Sequence, residues 1–260
     1  MPHVSAHAPG RFCWVELGTT DQASATAFYS SLLGWRSNDV PMGDATFYTL
    51  FTLEGRDVAA LYGLSADQRT RGIRPYWLPY VAVANADDTA AQVKRLGGRL
   101  LVEPFDVLDV GRTLLLRDPT GAVLACYQAR THHGLGIVGE PGSVRWCELA
   151  TRDTSRAGEF YAGLFGWGMK SAPAGGQSHT YWTLAGESIG GMLPMADEAG
   201  DAPSHWDIYF RVADVDATAT RARRLGGEVP HGPFDAPGVG RLAMLADSEG
   251  AGFNIIRVES

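Results

Sequence analysis

Two carboxylates stand out by their neighbours. Trp14-Val15-Glu16 and Trp146-Cys147-Glu148 each place an acid two residues after a tryptophan. Side chains alternate along an extended strand, so each acid shares a face with its indole. A carboxyl group beside an indole in an apolar hollow titrates high, which suits general acid or base work. Glu16 and Glu148 are therefore candidate catalytic groups. The same carboxylates could instead accept a hydrogen bond from a ligand, or form buried ion pairs with Arg112 and Arg241. His205, Asp207 and Tyr209 alternate in the same way, and His205 and Asp207 complete the candidate catalytic set as a base with a second acid.

Around these groups, Trp14, Trp146, Tyr80 and Tyr209 offer flat faces for planar ligands. Asn254, Arg112 and Arg241 add polar contacts. A Gly-Arg pair entering a strand, as at Gly111-Arg112 and Gly240-Arg241, can clamp a ligand carboxylate or carbonyl or anchor a loop through Asp106 or Asp235. Trp35, Trp77, Trp167 and Trp206 read as core, and His3, His7, His132 and His133 as tail or linker residues.

The elements that position these groups are written twice. Trp14 to Leu17 reappears as Trp146 to Leu149 at an offset of 132, together with Asp21/Asp153, Phe28-Tyr29/Phe160-Tyr161 and Gly34-Trp35/Gly166-Trp167. Further along the offset becomes 129, pairing Trp77 and Tyr80 with Trp206 and Tyr209, and Pro104-Phe105-Asp106 with Pro233-Phe234-Asp235. A change between two constant offsets is what a loop-length difference leaves, so one module occurs twice. Residues 129–143, rich in glycine, read as the linker between modules 11–128 and 144–258.

Each module divides again. Phe12 to Leu17 is strand-like, and Asp21 to Leu33 carries an amphipathic helical spacing stopped by Gly34. Thr46 to Thr52, Asp57 to Leu61 and Tyr76 to Val83 read as three strands. A second helix, Asp87 to Leu96, precedes strand-like runs at Leu100 to Val102, Arg112 to Leu116 and Ala122 to Gln128. Strand, helix and three strands form the unit, and the chain holds four.

Composition narrows the function. With 22 Lys and Arg against 29 Asp and Glu, the net charge is −7. No basic run exists to neutralise a phosphate backbone, so nucleic acid is excluded as a partner. Apolar runs are strand-sized, giving no membrane partner, and Met1 to Val4 carries no secretion-signal pattern, so the expected location is cytoplasmic. Cys13, Cys126 and Cys147 have no CxxC spacing and read as reduced thiols. No phosphate loop, nucleophile elbow or dinucleotide fingerprint occurs.

The sequence Thr20-Asp21 … Phe28-Tyr29 … Leu33-Gly34-Trp35 … Asp118-Pro119-Thr120-Gly121, with its copy Arg152-Asp153 … Phe160-Tyr161 … Phe165-Gly166-Trp167 … Asp247-Ser248-Glu249-Gly250, resembles the vicinal oxygen chelate superfamily. That superfamily includes glyoxalase I, fosfomycin- and bleomycin-resistance proteins and extradiol dioxygenases. More narrowly, the chain is similar to tandem glyoxalase-like proteins of actinobacteria that are often labelled hydroxylases. The resemblance implies an α+β fold in which four βαβββ units make two open eight-stranded β-cups with helices outside. Pairing of units within or across modules both fit it, as do a monomer and a homodimer.

Metal-dependent relatives hold a divalent ion on His, Gln or Glu at four strand positions. Carried onto this chain, these fall on Trp14, Ala60, Leu78 and Ala125, and on Trp146, Gly191, Asp207 and Asn254. Indole and aliphatic side chains offer no lone pair, so no cofactor is expected, although Asp207 and Asn254 leave room for a weakly held divalent cation in the second module. The expectation is a metal-independent protein that binds a planar or polyketide-like small molecule and isomerises or dehydrates it with Glu16 or Glu148. The second module, richer in polar groups, is the expected active one. Two alternatives stay open. One is a metal-dependent lyase or oxygenase using Asp207 and Glu148 as a non-standard ligand set. The other is a non-catalytic sequestration protein.

Overall fold

The computed structural model describes residues 4–43, 46–174, 177–196, 200 and 202–259. The first module runs β1 (Phe12–Thr19), α1 (Gln22–Leu33), β2 (Arg36–Pro41), β3 (Phe47–Leu53), β4 (Arg56–Gly63), α2 (Ala66–Thr70), β5 (Tyr76–Ala82), α3 (Ala86–Arg95), β6 (Arg99–Val107), β7 (Gly111–Arg117) and β8 (Val123–Ala129). The second runs β9 (Val144–Thr151), α4 (Thr154–Phe165), β10 (Gly168–Ala174), β11 (Gln177–Leu184), β12 (Glu187–Pro194), β13 (His205–Arg211), α5 (Val215–Arg224), β14 (Glu228–Ala236), β15 (Gly240–Ala246) and β16 (Gly252–Val258).

Local chemistry sets the ends of the helices. Asp21 and Asp153 cap α1 and α4 by accepting the amides of Ser24 and Arg156. Each helix then stops at a glycine in the left-handed region, Gly34 with φ +77° and Gly166 with φ +70°. Helix α1 turns Ala25, Phe28, Tyr29, Leu32 and Leu33 inward, the spacing its sequence carries.

Each module is one eight-stranded mixed sheet, ordered β2-β3-β4-β1-β5-β8-β7-β6 and β10-β11-β12-β9-β13-β16-β15-β14. Strands β1 and β5, which open the two units, pair antiparallel at the centre, as do β9 and β13. Units therefore pair within a module rather than across modules. One assignment changes. Tyr76–Ala82 opens the second unit, and the missing strand of the first is β2, whose Arg-Ser-Asn-Asp-Val-Pro sequence is mostly exposed at the sheet edge. An edge strand that buries little need not alternate in hydrophobicity, and a charged edge resists pairing with other chains. The polar loop before Tyr76 also contains a short helix, α2, opened by a Ser65–Gln68 capping box.

The helix-bearing faces interlock reciprocally. Tyr29 donates its hydroxyl to Asp247 Oδ2 at 3.0 Å while accepting from Trp77 Nε1. Tyr161 donates to Asp118 Oδ2 at 2.8 Å while accepting from Trp206 Nε1. The other oxygen of each aspartate takes backbone amides of its own turn, including those of Ala122 and Ala251. Trp35 and Trp167 likewise donate to Gly142 and Gly10 carbonyls. Much of the signature motif thus belongs to the packing of one module on the other, with Phe28 and Phe253 and with Trp77 and Phe210 in edge contact between them.

Candidate functional site

Strand register decides which side chains meet. In the first sheet Trp14 lies opposite Tyr80, and Glu16 lies opposite Ala60 on β4 and Leu78 on β5. Glu16 accepts from Tyr48 Oη at 2.7 Å on one oxygen and from Tyr80 Oη at 3.0 Å on the other. Trp14 Nε1 donates in turn to Tyr48 Oη at 3.1 Å. Beside them the hydroxyls of Tyr62 and Tyr76 meet at 2.9 Å, bridging over Gly18, which faces both in the register. A Cβ at Gly18 would stand 3.1 Å from the Tyr62 hydroxyl, so the bridge uses the space glycine leaves. Burial holds the Glu16 carboxyl above its ordinary range, outweighing the two phenol hydrogen bonds that favour its charged form. Both oxygens of Glu16 and the Trp14 N–H thus find their partners within the first module.

The second sheet repeats the frame with different side chains. Trp146 lies opposite Tyr209, and Glu148 opposite Gly191 and Asp207. Glu148 is 4% exposed. Its Oε2 accepts from Tyr209 Oη at 2.9 Å, and its Oε1 lies 3.0 Å from His179 Nε2. Tyr181 faces Gly191 as Leu50 faces Ala60, so His179 and Tyr48, two residues before each, hold corresponding positions. An imidazole has replaced a phenol. At Gly191, a Cβ would come within 2.4 Å of Glu148 Oε1, 2.8 Å of His179 Nε2 and 2.9 Å of Trp146 Nε1. Three polar atoms converge on the space that the missing side chain leaves. Whereas Trp14 gives its N–H to Tyr48, Trp146 Nε1 has no hydrogen-bond partner among the described residues. Its ring meets Tyr181 edge-on and lies beneath the Arg145 guanidinium.

His205 and Asp207 lie on the same face of β13, opposite Ala150 and Glu148. His205 Nε2 is 3.6 Å from Asp207 Oδ2 and its Nδ1 is 2.9 Å from the Pro203 carbonyl. The Asp207 carboxylate pushes the imidazole up to about 8. Asn254, 4% exposed, faces Tyr209 from β16. Separately, a hollow of about 460 Å³ between the N-terminal arm, the linker and β9 reaches Trp146, but neither Glu148 nor His179 lines it.

Arg112 and Arg241 do not join this group. Arg112 pairs with Gln128, one step out of phase with Ala125 and Tyr127, and so points to the helix side of the sheet. There it donates to both oxygens of Asp87 on α3 and to Asp106. Arg241 does the same to Asp216 on α5 and Asp235. They anchor helix to strand, and they neither clamp a ligand in the cup nor pair with Glu16 and Glu148.

At the four family ligand positions the first cup presents Trp14, Ala60, Leu78 and Ala125, which carry no metal donor. In the second, Asp207 and Asn254 supply oxygens, but the space in front of Gly191 is filled by Glu148 and His179, which lie in contact with each other. Among the described residues no group of three or more His, Cys, Asp or Glu is gathered as a metal centre requires. Neither donor set fits an ion held as the family holds it.

His179 and the part played by Tyr48 are absent from the sequence reading. The signal is a third offset, 131, which aligns Thr49 with Thr180, Leu53-Glu54-Gly55 with Leu184-Ala185-Gly186, and Tyr48 with His179.

Residues 11–126 match the glyoxalase/bleomycin resistance protein/dioxygenase superfamily, and residues 146–256 match a glyoxalase-like domain. The chain belongs to that superfamily. It is 38% identical to Mycobacterium tuberculosis CFP32, whose name carries the word glyoxylase, over 99% of this chain and 98% of that one. It is 35% identical to the anthracycline biosynthesis protein DauV of Streptomyces sp. strain C5, covering 98% and 96%. Among solved structures, the Mn(II)-bound glyoxalase of Novosphingobium aromaticivorans shares the fold with a TM-score of 0.61 at 15% identity, covering 95% of this chain and 82% of that one. The 2,3-dioxygenase LapB of Pseudomonas sp. KL28 shares it with a TM-score of 0.65 at 12% identity, covering 95% and 91%.

Proposed function

We propose that the second cup binds a planar, polyketide-like small molecule and moves a proton on it without a metal, using Glu148, while the first cup is structural. The observation that carries this is the buried Glu148 between His179 and Tyr209, on a face that also holds Trp146 and Asp207. A buried carboxylate beside an imidazole is an acid–base unit, and the aromatic side chains around it suit a flat ligand. The name of DauV supports the ligand class, since an anthracycline is a fused-ring aromatic polyketide. Isomerisation or dehydration needs only such proton transfers and draws no oxidant.

The test pairs metal content with ligand response. Protein purified without affinity metal holds less than about a tenth of an equivalent of any divalent ion, and add-back of Mn, Fe, Ni or Zn leaves its melting temperature unchanged. An anthracycline raises that temperature, and Glu148→Gln abolishes turnover of it while retaining binding. Loss of affinity alone identifies a sequestering protein. A full equivalent of tightly held ion overturns the metal-free reading and turns attention to Asp207 and Glu148 as ligands.

A further inference from the structure

The polar groups at Gly191 form an unequal set. Glu148 has both oxygens engaged, by Tyr209 and His179, so it is poorly placed to take a proton from a ligand directly. His179 Nε2 stands 3.0 Å from Glu148 Oε1 as an ion-pair contact, and the neutral ring carries a lone pair on one of its two nitrogens. Trp146 Nε1 is a donor without a partner among the described residues. Trp146 Nε1 and His179 Nε2 lie 2.9 and 2.8 Å from one point, the place of a Gly191 Cβ, so they are no further apart than those two distances together. Around Gly191 there thus stand an indole N–H with no acceptor among the described residues and an imidazole in contact with a carboxylate. The first cup, built on the same frame, offers neither: its indole donates to Tyr48, and Ala60 stands where Gly191 leaves room.

We propose that His179 is the proton-accepting residue of the second cup and Trp146 its oxygen-binding donor, and that together they recognise a conjugated hydroxy-carbonyl compound, one whose acidic hydroxyl and carbonyl oxygen lie in a single plane. This rests on the second cup being the ligand site. The ligand O–H bond breaks with its electron pair left on oxygen, and the proton passes to the unprotonated ring nitrogen of His179, giving an imidazolium that Glu148 stabilises. The charge spreads through the conjugated system to the carbonyl oxygen, which accepts the Trp146 N–H. Return of the same proton to a ring carbon completes a tautomerisation with no other reactant. Glu148 is then a positioning residue that acts through His179.

The experiment titrates the full chain with 1,8-dihydroxyanthraquinone and, as the hydroxyl-free comparison, anthraquinone-2-sulfonate. The dihydroxy probe is expected to bind at least about tenfold more tightly and to show the absorption of its ionised form at a pH where the free probe is neutral. His179→Gln should abolish the ionised spectrum while leaving the neutral probe bound, a split that a merely structural role does not produce. Trp146→Phe should weaken the dihydroxy probe about tenfold and spare the sulfonate. Binding of the dihydroxy probe with a neutral spectrum, or responses indifferent to both variants, overturns this assignment and leaves the wider reading standing. If neither probe binds, the second cup is not a site for planar ligands and both fall.

Discussion

Glu16 and Glu148 stand at corresponding positions on the central strands of two sheets, and each accepts a hydrogen bond from the corresponding tyrosine, Tyr80 or Tyr209. The surroundings then diverge. Tyr48 becomes His179, Ala60 becomes Gly191, Leu78 becomes Asp207, Tyr76 becomes His205 and Ala125 becomes Asn254. Each exchange makes the second cup more polar or roomier. In the first, phenols close over the carboxylate and over each other, and the indole N–H is taken by Tyr48. The comparison teaches that a duplicated frame can use one buried acid for two ends, held by neutral partners as part of the core or coupled to an imidazole beside an indole N–H.

The most severe test of that contrast is the pair Glu148→Gln and Glu16→Gln. Removing the carboxylate that backs His179 should lower turnover of the cup ligand by about 10² to 10⁴, the range that acid–base groups contribute. Glu16→Gln should leave the rate unchanged, because its partners are tyrosines that a neutral amide can also satisfy. Equal losses in the two variants, measured as steady-state rates, would dissolve the distinction between the cups.

A gentler exchange acts on the space itself. Gly191→Ala puts a methyl 2.4 Å from Glu148 Oε1 and 2.8 Å from His179 Nε2, so the pair must separate. Ligand affinity is expected to fall about tenfold, read by calorimetric titration. The reciprocal Ala60→Gly should leave affinity alone and reduce stability by about 0.5–1 kcal/mol, the backbone-entropy cost of glycine within a strand. An unaffected Gly191→Ala would show that the convergence there has no role in binding.

The sequence displays the frame better than the site. The repeat, its linker and the helix stops at Gly34 and Gly166 are legible because caps and left-handed glycines act locally. Trp14 with Glu16, and Trp146 with Glu148, follow from alternation alone. Strand β2 escapes because an exposed edge needs no apolar pattern. For the arginines, the anchoring expected through Asp106 and Asp235 is present, whereas Gly-Arg fixes a position along the strand but not the face, and only the pairing of Arg112 with Gln128 shows that it turns toward α3. His179 escapes because its contact with Glu148 crosses β12 to reach β9, a relation set by register rather than by any local spacing.

A smaller effect separates Glu16 from its own glutamine variant across pH. Burial raises the Glu16 carboxyl above the 4.5 of an unperturbed group. Its contribution to stability is fully present below that value and is lost as pH rises through the folded-state titration. The melting temperature of wild type relative to Glu16→Gln should therefore fall by a few degrees between pH 4 and pH 8. A difference that is flat or grows with pH would mean that the two phenols favour the charged carboxylate more than burial opposes it.

The smallest expected effect lies at His205, whose counterpart Tyr76 has no charge to gain in the neutral range. The Asp207 carboxylate, 3.6 Å from its Nε2, raises this imidazole to about 8, against an ordinary 6.5. The stabilisation it brings is complete below pH 6.5 and is lost as pH rises through 8. Its side chain is 48% exposed, so solvent screens the pair and the change in stability is slight. The titration itself is the clearer readout: a proton NMR midpoint near 8 in wild type should drop toward 6.5 in Asp207→Asn. Because Asp207 faces Glu148 across the β9–β13 pair, ligand in the cup should move the same midpoint. Glu16 has Leu78 at that position and nothing there to report. A His205 titration unmoved by both the variant and the ligand would detach β13 from the second cup's chemistry, leaving His179 and Glu148 as the whole of it.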